Sequence, residues 1–351
     1  MPEPRTPIST NVLFQRIDGL DAICDLVEGS DTEVLTRLES KPALLFLPGA
    51  NPGPSRLISV LLHGNEDSGF RALCGWLRER PTVPGPLWMF IGNVRAATQN
   101  GWFADRYLND QEDFNRVWGI AEATTRMRMC AKEVLEIVTG TPLEAAIDIH
   151  NNTGDNPLYA IIPEADVQTT GLAATLSDIG LLWGTQEHTL MQALEGICPA
   201  VAVECGLAGV PAHVKLARDV IEQFVSAGSF AEAGRPSRML EIRYRVEVRP
   251  EVMFDFCSHL DEEIDFAITP GLDTANFGHL GAGTMLGRTL PGSASPLRVI
   301  DDAGAEVTAA LIQVDPTGAV TLTRDVIPAM MTRTPEQTRR DCLFYVLADH
   351  R

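Results

Sequence analysis

Between residues 57 and 220, short and nearly unbroken apolar runs of strand length alternate with longer stretches whose apolar residues recur at three- and four-residue spacing. This alternation constrains the fold more than any other feature. Strands that are apolar on both faces must be covered on both faces, and the intervening helices are the only material available to do it. The pattern predicts an α/β fold with strands at 57–62, 87–91, 145–149, 159–162 and 200–203. Helices are predicted at 68–79, 119–138, 166–176 and 211–227. The connection from Asn93 to Arg116 is long for a loop inside a compact domain and carries Trp102, Arg106, Tyr107 and Arg116, so it is expected to be functional.

A chain of 351 residues exceeds the roughly 250 to 300 at which single cores stop growing, which predicts two domains. Composition turns to Gly, Ser, Ala and Pro at 228–237, and the MLEIRYRVEVRP stretch that follows alternates like a strand. The boundary is therefore placed so that 1–232 form the domain carrying the chemistry and 233–351 a small β-domain. Glycines 271, 278, 281, 283, 287, 292 and 304 punctuate the latter, as expected of a sandwich or barrel.

The formal net charge of −19, from 47 acidic and 28 basic residues, argues against nucleic acid and anionic membrane surfaces as partners. An anionic small molecule could be held only by a local cluster of Arg or Lys. The opening MPEPRTPIST lacks the apolar run of an export signal. No segment approaches the apolar length of a membrane-spanning helix. The seven cysteines are scattered without a C-x-x-C pair, so free thiols in a reducing cytoplasm are expected.

Three of the apolar runs end in residues that bind metals or move protons. LLHGNEDSG brings His63 and Glu66 together through a turn containing Gly64, and both side chains are ordinary zinc ligands. Taken alone, H-x-x-E also describes an N-capping turn with a hydrogen-bonded histidine. AAIDIHNNTG supplies a further ligand, His150, with Asp148 on the same strand face as its natural carboxylate partner. Two histidines and a glutamate leave one tetrahedral position open, as a catalytic zinc requires. AVAVECG ends in Glu204, a candidate acid/base group.

In this order, HGNE (63–66), RY followed by DFNR (106–107 and 113–116), DIHNNTG (148–154) and VECG (203–206) resemble the succinylglutamate desuccinylase and aspartoacylase branch of the zinc carboxypeptidase-like (M14) hydrolases. The resemblance implies one zinc ion per chain, held by His63, Glu66 and His150, with Glu204 as general base and then acid. It implies that Asn115 and Arg116 hold a substrate carboxylate and that Arg106 polarises the scissile carbonyl and stabilises the oxyanion. It also implies an α/β/α sandwich of mixed sheet, followed by a smaller β-domain that shapes the pocket entrance.

The chain departs from that pattern in places. From Trp183 to Val203 there is no Arg or Lys, where aspartoacylases place the arginine for the substrate's side-chain carboxylate; His188 and Gln192 stand there instead. The segment DVIPAMMTRTP lacks the aromatic hydroxyl that relatives carry near the C-terminus and offers Arg333, and Arg106 and Arg116 are spaced more widely than usual. His188, His213, His259, His279 and His350 lack partners at ligand spacing and read as hydrogen-bonded structural residues. GHLGAGTMLGR reads as turns of the β-domain, and no G-x-S-x-G elbow is present. The expected activity is zinc-dependent hydrolysis of an amide bond in an N-acyl amino acid or related small carboxylate. The alternatives are a carboxypeptidase for short peptides and a catalytically silent, zinc-bound binding protein of the same fold. A homodimer is the generic expectation for assembly.

Overall fold

The first strands lie near the N-terminus, ahead of the alternating apolar pattern: β1 (Gln15–Asp18) and β2 (Ala43–Leu47) flank helices α1 (Leu20–Val27) and α2 (Asp31–Arg37). The computed structural model describes residues 13–184 and 187–350, so the opening MPEPRTPIST lies outside the described residues. The chain continues through β3 (Ser55–Val60), α3 (Asp67–Arg78), β4 (Leu87–Ile91), α4 (Arg126–Thr139) and β5 (Leu143–Asn152). Then come β6 (Leu158–Ile162), α5 (Val167–Leu176), β7 (Ile179–Leu182), α6 (Leu190–Ala193), β8 (Ala200–Leu207), α7 (Pro211–Ser226) and β9 (Arg238–Val248). The structure divides into two compact units, one of residues 1–150, 185–203 and 214–232, the other of 151–184, 204–213 and 233–351.

In the first unit β1 and β2 run parallel, β2 and β4 antiparallel, and β4, β3 and β5 parallel, giving the order β1-β2-β4-β3-β5 in a mixed sheet. The central members are apolar and buried on both faces: β2 reads ALLFL and β4 reads LWMFI, buried throughout except Phe46. α3 lies so close to the sheet that a Cβ on Gly69 would meet the Ile149 and Val60 side chains at 2.9 and 3.2 Å.

The expected strands and helices are present, with two informative differences. The strand expected to reach residue 62 stops at Val60, because Leu61 takes a left-handed conformation (φ 59°) that cannot continue a ladder. The helix expected from 119 starts only at Arg126, since Gly119 is left-handed (φ 68°) and Thr125 is extended and caps the helix by accepting from the N–H of Arg128.

The second unit contains β6, β7 and β9 in parallel, with β9 also paired antiparallel to Leu297–Asp301 and to Phe344–Asp349. A further five-stranded sheet is built from Phe254–Phe256, Phe266–Ile268, Met285–Thr289, Ala319–Leu322 and Ile312–Val314. Its Phe266, Leu286 and Val320 share one apolar core with Val246, Leu297 and Phe344 of the β9 group, so the C-terminal β region contains a second sheet on a common core. No described helix is long and apolar enough to cross a membrane.

Phe90 of β4 meets Phe114 and Trp118 edge-on at 5.7 and 5.6 Å, and these two rings stack at 6.1 Å. All three are buried, so they pin the end of the long 93–116 loop to the sheet. Phe114→Ala is therefore expected to cost about 3–5 kcal/mol of stability in urea unfolding, while a surface change such as Glu122→Ala should leave the midpoint unmoved.

Candidate metal centre and active site

The register pairs Val60 with Ile149, so the carboxyl ends of β3 and β5 lie side by side. His150 follows Ile149 directly, and His63 is reached through the left-handed Leu61, a conformation costing a non-glycine residue on the order of 1–3 kcal/mol. Gly64 completes the turn: its N–H donates to the Arg106 carbonyl at 2.9 Å, and a Cβ there would stand 2.5 Å from the Ala97 nitrogen. Glu66 occupies the N-cap position of α3 yet makes no side-chain cap bond. Its carboxylate turns instead to both imidazoles, with Oε1 2.8 Å from His63 Nδ1 and Oε2 2.7 Å from His150 Nδ1. The N-capping alternative for H-x-x-E thus gives way to a cluster.

Each imidazole has a second carboxylate behind it. His63 Nε2 is 2.9 Å from Asp113 Oδ1, and His150 Nε2 is 2.6 Å from Asp148 Oδ2. Asp148 is the partner expected for His150, whereas Asp113 is not singled out by the sequence, its only signal being its place in DFNR. Arg106 bridges the site, its Nη1 donating to Glu66 Oε1 at 3.2 Å and Nη2 to Asp113 Oδ2 at 3.3 Å. Asp113 also accepts from the Asn115 N–H at 2.8 Å. One carboxylate thereby ties a histidine, an arginine and the backbone of the loop together.

Burial would push the Glu66 carboxyl up, but the His63 and His150 rings hold it well below the usual carboxylate range. Burial opposes a charge on His150, yet Asp148 and Glu66 push its pKa well above the ordinary histidine value. Asp113 is held low, against burial, by His63 and Arg106.

These facts bear on whether a metal fits. A neutral imidazole has a single N–H, so one held between two carboxylates needs either a second proton or a cation at one nitrogen. His63, Glu66 and His150 are all buried, and their ligand atoms lie within 4.8 Å of one another, so the group can hold a metal ion. His63, Glu66 and His150 would hold a divalent cation through their clustered ligand atoms, and its charge would take the place of the second proton that each imidazole otherwise needs between its two carboxylates.

The same unit brings the two candidate anion-binding residues near this cluster. Asn115 points its Nδ2 to 3.4 Å from His150 Nε2, and its Oδ1 accepts from the Leu190 N–H at 3.1 Å. Arg116 is exposed and donates to the Asn115 carbonyl at 2.6 Å. Glu204 belongs to the second unit, where Oε2 accepts from the side-chain amide of Asn152. Arg333 lies 3.4 Å from Asp273 in that unit. His213, His279 and His350 have the partners expected of structural histidines: Leu207 O, Asp325 and Glu241. All seven cysteines are free thiols.

No protein-family model and no curated protein matches the chain. Solved structures do. A succinylglutamate desuccinylase/aspartoacylase from Rhodobacter sphaeroides is 16% identical at a TM-score of 0.56, covering 87% of this chain and 88% of its own. A putative succinylglutamate desuccinylase/aspartoacylase from Shewanella frigidimarina is 14% identical at 0.55, covering 87% and 93%. A product-bound ectoine utilization protein from Ruegeria pomeroyi is 16% identical at 0.53, covering 87% and 88%. The chain therefore has the α/β fold of the succinylglutamate desuccinylase/aspartoacylase branch, the one its motifs resemble.

Asp113→Asn and Asp148→Asn remove no ligand, but each is expected to weaken divalent-metal binding by roughly 10- to 100-fold in chelator competition. Wild-type affinity in both variants would show that these carboxylates do not support the metal site.

Proposed function

We propose that the chain is a zinc-dependent hydrolase of amide bonds, releasing the acyl group from an N-acyl amino acid or a related small carboxylate. The observation that supports this best is the buried His63–Glu66–His150 cluster with an aspartate behind each imidazole. Bound there, zinc supplies an acidified water and a Lewis acid for the carbonyl oxygen.

The residues of the chain do the rest. Asp113 and Asp148 hold the two rings in orientation and fix which nitrogen of each carries the proton. Arg106, held by Glu66 and Asp113, brings a guanidinium to the cluster to stabilise negative charge developing on the carbonyl oxygen. Asn115 and Arg116 bind the substrate carboxylate and meet the need for local positive charge in a chain of net charge −19. Glu204 takes the proton from the attacking water and delivers it to the leaving nitrogen. Because 183–203 contain no Arg or Lys, a second substrate carboxylate would lack a charged partner, and the preferred substrate carries a neutral group at that position. The free thiols fit a reducing, cytoplasmic setting.

Elemental analysis is expected to find one zinc per chain, and a panel of N-acetyl and N-succinyl amino acids and short peptides to include a cleaved member. Glu204→Gln should lower kcat by about 100- to 10,000-fold with zinc retained, and Arg116→Ala should raise KM by roughly 10-fold or more. Absence of zinc, or a fully active Glu204→Gln, would sink the proposal. Zinc with no turnover of any member would favour the silent binding protein.

A further inference from the structure

Glu204 is held by a chain of hydrogen bonds that leads into the apolar core of the second unit. Asn152, the last residue of β5, donates from Nδ2 to Glu204 Oε2, and Tyr159, in β6, donates from its hydroxyl to Asn152 Oδ1 at 3.1 Å. The direction of these bonds is dictated by chemistry. An ionised carboxylate only accepts, so the amide must present its NH2 to Glu204, which turns its oxygen to the phenol and obliges the phenol to donate.

Tyr159 is fully buried, its ring 4.5 Å from that of Phe277 in a cluster with Leu181, Leu240, Ala329 and Leu347. A phenylalanine would fill this space equally well, and a hydroxyl buried among apolar groups is a cost unless bonded. The hydroxyl donates to the very residue that holds Glu204.

Resting on the reading of Glu204 as the base and then the acid, we infer that Tyr159 and Asn152 are positioning residues for its carboxylate. Holding Oε2 restricts the orientations open to the carboxylate and favours Oε1 as the oxygen that takes and returns the proton. A neutral amide suits a group that must both take and return a proton, because an Arg or Lys in its place would hold the carboxylate ionised. The rigidity comes from the tyrosine: an asparagine at a strand end can rotate, whereas a ring packed in the core keeps its hydroxyl in one place.

The test compares Tyr159→Phe, Asn152→Ala, Glu204→Gln and the double variant Tyr159→Phe/Glu204→Gln as zinc-loaded full-length proteins, using the best-cleaved member of the N-acyl panel. Tyr159→Phe should lower kcat roughly 10-fold and Asn152→Ala about 10- to 100-fold, with KM and zinc content unchanged. In the Glu204→Gln background Tyr159→Phe should have no further effect, since the groups act as a unit. Wild-type kcat in Tyr159→Phe, or an undiminished loss in the double variant, overturns the inference. If Glu204→Gln alone is fully active, the reading of Glu204 fails first. Crystal structures of Tyr159→Phe and Asn152→Ala give a readout independent of turnover. The Glu204 carboxylate should take more than one orientation in them, and a single orientation unchanged from wild type overturns the inference.

Discussion

The carboxylate of Glu66, shared between the Nδ1 atoms of His63 and His150, is the interaction on which the candidate site depends. It joins the ends of two neighbouring strands and the start of a helix at one buried point. Three carboxylates and two imidazoles packed together carry a large desolvation cost, and only counter-charge repays it. Protons and Arg106 supply that charge in part, and a divalent cation held by His63, Glu66 and His150 would supply it more completely. The local backbone is shaped to this end: Leu61 is left-handed, Gly64 has no room for a Cβ, and Glu66 forgoes the capping bond open to it.

Support for the site extends outward through Asp113. Its two oxygens take His63, Arg106 and the Asn115 N–H, and the next residue, Phe114, is locked between Phe90 and Trp118. An aromatic cluster on the sheet thus sets the position of a carboxylate on a loop, and the carboxylate sets a histidine and an arginine. This gives a physical reason for a long ordered loop in an otherwise economical domain. In the second unit, Tyr159 stands to Glu204 as Phe114 stands to Asp113: a core ring determines where a polar group points.

Much of this was legible in the residues. Continuous apolar runs are burial on both faces written in one dimension, so β4 and β5, α5 and α7 lie where the pattern put them. His63, Glu66 and His150 were legible because strand ends deliver side chains to a common edge, and imidazole and carboxylate are a ligand chemistry. The N-terminal β1 and β2 and helices α1 and α2 fall outside the stretch in which strand and helix patterns alternate. The helix expected from 119 lost roughly its first two turns to a left-handed glycine and a threonine cap, since conformational choices at single residues outweigh periodicity at element ends.

By itself, then, the amino-acid sequence determined the α/β class, the metal-type donor set and the candidate base, because these follow from residue type and spacing along one strand or turn. The tertiary structure alone decided that Asp113 backs His63, that Arg106 spans Glu66 and Asp113, and that Tyr159 reaches Glu204 through Asn152. Asp113 is 50 residues from the histidine it supports, and Asn152 is 52 residues from Glu204. Such pairings leave no periodic trace in the chain. They arise only when strand register and the packing of buried rings bring distant polar groups to a place where, shielded from water, each must find its partner.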